Sequence, residues 1–194
     1  PFAAHSITIV LAGLSNRFDP EPGKATTMFS KILVPLDGTK EAESAIAPAA
    51  ELARRFESSV VLVEVTPGYG AMVGATAAES FGASGSVNAL AEAEIAKEAV
   101  ASAYLDLVRT NYGTPLWQTV VAEGGSADAI VQKAAETGAD LVVMATHARS
   151  GFKRLFLGSV AEDVIRHVGV PVLLVHSNVS DDPDNDSKDT GEAG

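Results

Sequence analysis

Residues 144–160 contain the residue types of a phosphate-binding loop. The segment reads MATHARSGFKRLFLGSV and ends in Gly158-Ser159 at the start of a predicted helix. Free backbone N–H groups and the helix dipole favour anions at such a position. Three cations precede the pair and could add charge-assisted hydrogen bonds to phosphates: Arg149, Lys153 and Arg154. These residues alone leave two interpretations open, a phosphate site or a simple helix cap beside solvated cations.

Composition limits the function classes that the chain can belong to. Hydrophobic residues make up 46% of the 194 residues and charged residues 20%, which suits one packed domain of ordinary size. A net charge of −11 argues against nucleic acid or an anionic membrane as the main partner. Without cysteine, a disulfide scaffold, a thiolate nucleophile and a cysteine zinc site are excluded. The four histidines lack metal-site spacing, and no apolar run approaches the roughly 20 residues of a membrane span.

The chain divides into three parts by composition. Residues 28–177 form the predicted domain, and Met28 is one candidate for its natural start. Residues 1–27 are interpreted as a flexible N-terminal extension. Residues 178–194 carry six acidic residues against Lys188, with few apolar side chains, and are predicted to be a disordered acidic tail.

Strands and helices alternate along the predicted domain. Apolar runs predict five strands, at 31–37, 59–67, 116–124, 139–147 and 170–176. Helical periodicity predicts four helices between them, at 38–56, 90–112, 126–138 and 158–169. Pro48 is expected to kink the first helix rather than break it. Residues 68–86, rich in Gly, Ala and Ser, are interpreted as a mobile loop or lid. This alternation predicts an α/β fold, a doubly wound, Rossmann-like parallel sheet with helices on both faces.

Two polar segments follow strands of this predicted sheet. PLDGT ends the first strand and ATHARSG follows the fourth. In doubly wound sheets, ligands bind at the carboxyl ends of strands where the winding direction reverses. We therefore expect these segments to meet in one site.

Three segments follow one another in the order ILVPLDGT, VVLVEVTP and ADLVVMATHARSGFKRLFLGSVAEDVIRHVGVPVLLV. In these segments the chain resembles the universal stress protein (UspA-like) family, and the resemblance covers residues 29–176. It implies a five-stranded parallel sheet of order 3-2-1-4-5 and a homodimer formed through the last strand, Val170–Val175. One branch of the family binds ATP through the motif G-x2-G-x9-G-[ST] after the fourth strand.

On this chain, the first two glycines of that motif become Ala145 and Ala148, and the final pair is Gly158-Ser159. The resemblance implies that adenine lies near Pro35, Asp37 and Val65. It implies that Met144, Ala145 and Ala148 line the ribose and phosphate path. Phosphates would be held by Gly158, Ser159 and Val160. Leu36, His147 and Arg149 complete the expected ATP contacts, and Asp37 is the expected partner for a magnesium ion on the phosphates.

The two alanines have a cost that depends on what the glycines do. Where a position needs a positive φ, alanine costs roughly 1–2 kcal/mol, about a tenfold loss of affinity. Where the glycine allows close approach, the extra methyl group could displace a phosphate. The intact spacing and Gly158-Ser159 favour binding.

Three functions follow from these residues. The main hypothesis is a cytoplasmic, homodimeric, ATP-binding stress-response protein that regulates an unknown protein partner rather than turning over substrate. The alternatives are a dimeric interaction module that does not bind ATP, and a slow ATPase. No general base is evident, so activity as an enzyme is left open. Asp37 is interpreted either as a ligand contact or as a strand-end cap.

Overall fold

The computed structural model describes residues 7–10, 29–66, 85–112, 117–146 and 158–176. The acidic tail lies wholly outside these residues, as do three of the predicted site residues, His147, Ala148 and Arg149. The predicted lid at 68–86 also falls outside them, apart from its last two residues.

The described strands form one sheet. They are β1 (Ile7–Val10), β2 (Lys31–Leu36), β3 (Ser59–Thr66), β4 (Gln118–Glu123), β5 (Leu141–Thr146) and β6 (Val172–His176). Their order across the sheet is β1-β6-β5-β2-β3-β4. The strands from β2 to β6 are parallel, and when they are counted from β2 their order is 3-2-1-4-5. This confirms the predicted fold class.

Helices cover both faces of the sheet because its parallel strands bury side chains on both sides. The helices are α1 (Lys40–Glu43), α2 (Ile46–Phe56), α3 (Gly85–Tyr112), α4 (Ser126–Thr137) and α5 (Ser159–His167). One core layer contains Val34 and Leu62 with buried residues of α1, α2 and α3. The other contains Leu33 and Val63 with buried residues of α4 and α5. Each of these four strand residues is completely buried.

The predicted first helix is broken, not kinked. α1 ends at Glu43 and α2 begins at Ile46, so the prediction of one continuous helix was wrong. Pro48 lies in the first turn of α2, where its missing N–H costs little. Its ring is incompatible with a helical carbonyl four residues earlier, at Ser44, and the break lies there.

Part of the N-terminal extension departs from the expected flexibility. Ile7–Val10 forms β1, which pairs antiparallel with β6 in the register Ile7↔Val175 to Val10↔Val172. The sequence alone did not predict this pairing. A segment as short as Ile7–Val10 forms a strand only where an open sheet edge is available to pair with it.

The helices within the described ranges are too short or too polar to span a bilayer.

Candidate functional site

β2 and β5 separate toward their carboxyl ends. Their pairing is limited to Ile32↔Leu141 and Leu33↔Val142, whereas β2 stays paired with β3 up to Leu36. Pro35, which has no N–H to donate, follows where the pairing with β5 has ended. The result is a cleft between the carboxyl ends of β2 and β5, at the point where the winding reverses.

Asp140 fastens the opposite, amino ends of the same two strands. Its Oδ2 accepts hydrogen bonds from Ser30 N at 2.7 Å and Ser30 Oγ at 2.8 Å. Its Oδ1 accepts one from Lys31 N at 2.9 Å, and its own N–H donates to Lys31 O at 2.9 Å. The strands are therefore held together at one end and open at the other.

The cleft contains a cavity of about 260 Å³. This is near the lower end of the roughly 300–1,000 Å³ range of small-molecule sites. One side is formed by predicted contacts from the ends of β2 and β3: Pro35, Leu36, Asp37 and Val65. The other is formed by predicted contacts from the end of β5 and the start of α5: Met144, Ala145, Gly158, Ser159 and Val160. The fold thus brings all the predicted site residues that it describes to one cavity.

Two helices begin at this cavity, and neither has a side-chain cap. The N-cap residues are Gly125 for α4 and Gly158 for α5, and neither makes a side-chain hydrogen bond to its helix. Ser126 and Ser159, the first residues of these helices, both line the cavity. The first N–H groups of a helix have no intrahelical acceptor, so both helix starts present donors and a positive dipole end to one space.

Nothing in the described part of the chain requires glycine at position 158. Its φ of −63° and ψ of 154° are open to any residue. A Cβ atom built on it would meet no heavy atom of the described residues within 4 Å. The glycine therefore keeps space open at the start of α5 rather than permitting an unusual backbone.

Backbone strain was one of the two costs considered for alanine at position 145, and the structure shows none there. This residue lies within β5, paired with Val175. Among the described non-glycine residues, only Phe29 and Glu57 have a positive φ. Ala145 therefore has no backbone strain that glycine would relieve, and only its methyl group matters at the cavity. Ala148 lies outside the described residues.

We expect the Ala145→Gly variant to change affinity for ATP by less than about threefold, because no strain is relieved. It should lower the free energy of unfolding by roughly 0.5–1 kcal/mol, since glycine weakens a strand interior. Calorimetric titration and urea denaturation check these two values. A gain in ATP affinity of tenfold or more, which corresponds to about 1.4 kcal/mol, would show that the methyl group of Ala145 displaces the nucleotide.

Thr146 is a cavity residue that the sequence analysis missed. It is 2% exposed, and its Oγ1 has no hydrogen-bond partner among the described residues. A buried hydroxyl without a partner costs free energy, so such groups usually have an unseen ligand or water. Ser126 and Ile130 of α4 were missed too. The alternation of β5 was the available signal for Thr146, since it puts Thr146 on the same face as Met144.

Asp37 accepts hydrogen bonds in the turn after β2 and also faces the cavity. Its Oδ1 accepts hydrogen bonds from Thr39 N at 3.0 Å and Thr39 Oγ1 at 2.6 Å. Thr39 in turn caps α1 by accepting a hydrogen bond from Ala42 N at 3.1 Å. Asp37 also lines the cavity and is exposed. The described residues contain no group of three acidic, histidine or cysteine side chains able to hold a metal ion by themselves.

Glu64 lies beside this site, opposite Leu36 in the pairing of β2 with β3. Burial, and secondly the negative charge of Asp37, raise the pKa of Glu64 above its usual value. Its Oε2 is buried without a hydrogen-bond partner in the described part of the chain. Burial also raises the pKa of Tyr104, whose hydroxyl donates to Glu43 Oε1 at 3.2 Å. The edge of the cleft next to Asp37 therefore has a negative electrostatic potential.

We expect Glu64→Gln to stabilise the protein at neutral pH. A carboxyl whose pKa is raised in the folded state loses stability as pH rises above its unfolded pKa, because the folded state holds the proton more tightly. The gain in Tm should be about 1–3 °C at pH 7 and should shrink as pH falls below the ordinary pKa of a glutamate, because the Glu64 carboxyl is then protonated in the folded and unfolded states alike. Thermal melts at several pH values measure it.

Glu51→Gln is the matched control. The exposed Glu51 has its pKa lowered to about 2 by hydrogen bonds from Arg54 and Arg55, the opposite direction. The Glu51 variant should show no gain in Tm between acidic and neutral pH. A Glu64 variant that behaves the same way would show that burial does not disfavour the Glu64 carboxylate.

Residues 28–176 match the model of the universal stress protein family. Universal stress protein MJ0531 of Methanocaldococcus jannaschii is 31% identical over 151 residues, covering 76% of this chain and 82% of that protein. The structure of hypothetical protein MJ0577 from the same organism aligns with a TM-score of 0.59 at 22% identity, covering 79% of this chain and 99% of that one. A universal stress protein solved in complex with cAMP aligns with a TM-score of 0.52 at 21% identity, covering 77% and 98%.

The residues matched by the family model coincide with the parallel part of the sheet. The family match begins just before β2 and ends at the last residue of β6, so it spans all five parallel strands. β1 lies outside it. The sequence match and the fold together show that the chain belongs to the universal stress protein family.

Proposed function

We propose that this protein binds ATP in the cleft between β2 and β5 and acts in the cytoplasm as a regulator in the stress response. The observation that carries the proposal is the pair of uncapped helix starts, at Ser126 and Ser159, that open on one cavity. Backbone N–H groups in this arrangement are suited to an anionic ligand with several oxygen acceptors. The apolar residues Val65 and Met144 on the same cavity suit a base.

The charge of the protein favours a magnesium complex over the free nucleotide. The chain has a net charge of −11, and Asp37 and Glu64 add negative charge at the edge of the cleft. A bare triphosphate would be repelled there, whereas a magnesium ion bound to it lowers this repulsion. Asp37, with its Oδ1 already accepting from Thr39, would contact that ion or its waters through its other oxygen.

Two adenine nucleotides are consistent with a cleft of this kind. A universal stress protein has been solved in complex with cAMP, so this fold accepts an adenine nucleotide with one phosphate. Two separate helix starts on one cavity, however, provide more donors than one phosphate can use. We therefore expect affinity to increase from AMP to ADP to ATP, with cAMP weaker than ATP.

Calorimetric titration of the full chain with each of the four nucleotides, with and without magnesium, tests the proposal. Micromolar binding of ATP with magnesium, tighter than that of AMP and cAMP, is the expected result. Tighter binding of cAMP than of ATP would identify a cyclic nucleotide, rather than ATP, as the ligand. Absence of binding by every nucleotide, together with no thermal shift, would favour the interaction module that does not bind nucleotide.

Thr146→Val separates binding from folding. Valine has nearly the shape of threonine without the hydroxyl, and the Thr146 hydroxyl has no partner in the described structure. The free energy of unfolding should stay equal or rise by up to about 1 kcal/mol, because an unsatisfied group is removed. Affinity for ATP should fall about threefold to tenfold if the hydroxyl donates to the nucleotide. A valine variant that binds ATP unchanged would show that the nucleotide does not contact Thr146.

A further inference from the structure

The connection from β4 to α4 brings the start of α4 to the cavity. Gly124 follows β4 directly, its N–H donates to Thr66 O at 3.1 Å, and its φ of 131° is one that glycine adopts without strain. α4 then packs against β3 and α5. Ser126, its first residue, and Ile130, one turn later, line the cavity. The start of α4 is therefore a wall of the cavity on which α5 also begins, although β4 lies at the far edge of the sheet.

The backbone donors at the two helix starts have no acceptor inside their helices. The first intrahelical hydrogen bond of α4 runs from Ala129 N to Gly125 O at 2.9 Å. The N–H groups before it, at 126–128, need acceptors outside the helix. α5 begins in the same way, with its first such bond from Glu162 N to Gly158 O at 3.0 Å. Each start therefore presents a set of donors at the positive end of a helix dipole.

One phosphate group cannot occupy both helix starts. α4 and α5 pack against each other, and packed helices have axes about 8–10 Å apart. An N–H···O hydrogen bond reaches only about 2.7–3.2 Å between its heavy atoms. Two helix starts at this spacing therefore bind two different groups of a ligand.

The hydroxyl of Thr146 is a further donor in this cavity. Thr146 is 2% exposed and lines the cavity, and its Oγ1 has no hydrogen-bond partner among the described residues. It lies on the same face of β5 as Met144, which packs in one core layer with residues of α4 and α5. Because Thr146 is nearer the carboxyl end of the strand, it lies beneath the two helix starts. A buried hydroxyl of this kind usually has a ligand or a water as its partner, so Thr146 points to a ligand independently of the helix ends.

The acid in the first turn of α4 does not face the cavity. Asp128 follows Ser126 by two residues, which places it about 200° around the helix. Ser126 and Ile130 share the face that lines the cavity. Asp128 is exposed on the other side, where its Oδ2 would lie 3.6 Å from a Cβ built on Gly125. An anion at Ser126 therefore meets the favourable helix dipole without a carboxylate of the same helix beside it.

We propose that the start of α4 is a second phosphate subsite, and that the ligand is an adenine nucleotide with a phosphate on its ribose 2′ or 3′ oxygen as well as on its 5′ oxygen. This inference rests on the proposed function, in which the 5′ phosphates lie at the start of α5 and the base lies against Val65 and Met144. The ribose then lies between the base and the 5′ phosphates. Its 2′ and 3′ oxygens are the remaining points at which a phosphate can be attached, and ATP offers only neutral hydroxyl groups there.

Calorimetric titration of the full chain with AMP, ADP, adenosine 3′,5′-bisphosphate and adenosine 2′,5′-bisphosphate tests the proposal. The bisphosphates and ADP are isomers that differ only in where the second phosphate is attached. In magnesium-free buffer, one bisphosphate should bind about tenfold or more tightly than AMP, equal to about 1.4 kcal/mol, and more tightly than ADP. The protein has a net charge of −11, so a second phosphate without a subsite would weaken binding.

Ser126→Pro removes the first N–H of α4 and the serine hydroxyl while keeping the helix. Proline is favoured at the first helical position, and Gly125, at φ −67° and ψ 129°, has the extended backbone that suits a residue before proline. The variant should lose the advantage of the bisphosphate, whereas its affinity for AMP should change by less than about threefold. Ser126→Ala keeps the N–H and should reduce the advantage by about threefold. Thermal melts check that each variant is folded.

Ser159→Pro is the matched control at the start of α5. Gly158, at φ −63° and ψ 154°, also has an extended backbone that accepts proline after it. AMP and the bisphosphates share the 5′ phosphate that this helix start would bind. The control should therefore weaken AMP and the bisphosphate by the same factor.

Two results would overturn the proposal and leave the proposed function standing. The first is that both bisphosphates bind no more tightly than AMP while ATP with magnesium does bind. The second is that Ser126→Pro weakens AMP and the bisphosphate equally, which would assign the start of α4 to a contact with the nucleoside. Absence of binding by every nucleotide would instead refute the proposed function, and this inference with it.

Discussion

Gly158→Ala is expected to lower affinity for ATP by about tenfold or more, with little change in folding. The added methyl group meets no heavy atom of the described residues within 4 Å at the start of α5. A phosphate that approaches the first N–H groups of α5 needs that space. The free energy of unfolding should fall by less than about 1 kcal/mol, since alanine is a somewhat poorer N-cap than glycine. Calorimetry and urea denaturation measure the two quantities.

Gly125→Ala is the control for this experiment. Gly125 is also a glycine N-cap without positive φ, with φ of −67° and ψ of 129°. Its added Cβ would lie 3.6 Å from Asp128 Oδ2, an ordinary contact, so the cost in capping should be matched. Gly125 itself does not line the cavity. Equal loss of ATP affinity in both variants would assign the effect to helix capping and remove Gly158 from the binding site.

Asp140→Ala is expected to destabilise the protein by roughly 2–4 kcal/mol, because hydrogen bonds to a charged group contribute about 1.5–3 kcal/mol and their donors are left unpaired. The carboxylate accepts hydrogen bonds from Ser30 N, Ser30 Oγ and Lys31 N. Each kcal/mol lowers Tm by roughly 2–4 °C in a chain of this size. The midpoint and slope of urea unfolding provide the measurement.

Two smaller substitutions test how much the individual hydrogen bonds of Asp140 contribute to stability. Asp140→Asn keeps one carbonyl acceptor and should cost about half as much. Ser30→Ala removes only the hydroxyl donor at an exposed residue and should cost less than about 1 kcal/mol. If Asp140→Ala costs no more than Ser30→Ala, the amino ends of β2 and β5 are held by their backbone pairing alone.

The parallel sheet could be predicted because its signal is local and repeated. Runs such as ILVPL and VLLV are apolar at every position, and only strands buried on both faces need that composition. Helix ends were less certain. For α4, Gly125 is the N-cap and Ser126 is the first helical residue. Serine and glycine are both common N-cap residues, so the sequence could not decide which of these two neighbours caps the helix.

The candidate site could be predicted in outline but not in its polar details. Strand order brings the ends of β2 and β5 together, and that follows from topology. The unpaired hydroxyl of Thr146 and the buried carboxyl of Glu64 depend instead on which atoms neighbouring elements leave without partners. The covering of β6 by β1 is of the same kind, since Ile7–Val10 meets β6 across most of the chain length. None of these contacts has a spacing that a sequence pattern displays.

The glycine caps of α4 and α5 have a consequence for how long the protein survives in a cell. A helix start capped by glycine is less stable by roughly a few tenths of a kcal/mol than one closed by serine, threonine or aspartate. Under the proposed function, the nucleotide satisfies those N–H groups instead, and at a hundred times its Kd it adds about 2.7 kcal/mol of stability. Because proteolysis often follows the population of opened molecules, the lifetime of the protein would then rise and fall with the ATP pool. Its abundance would itself report the energy state of the cell.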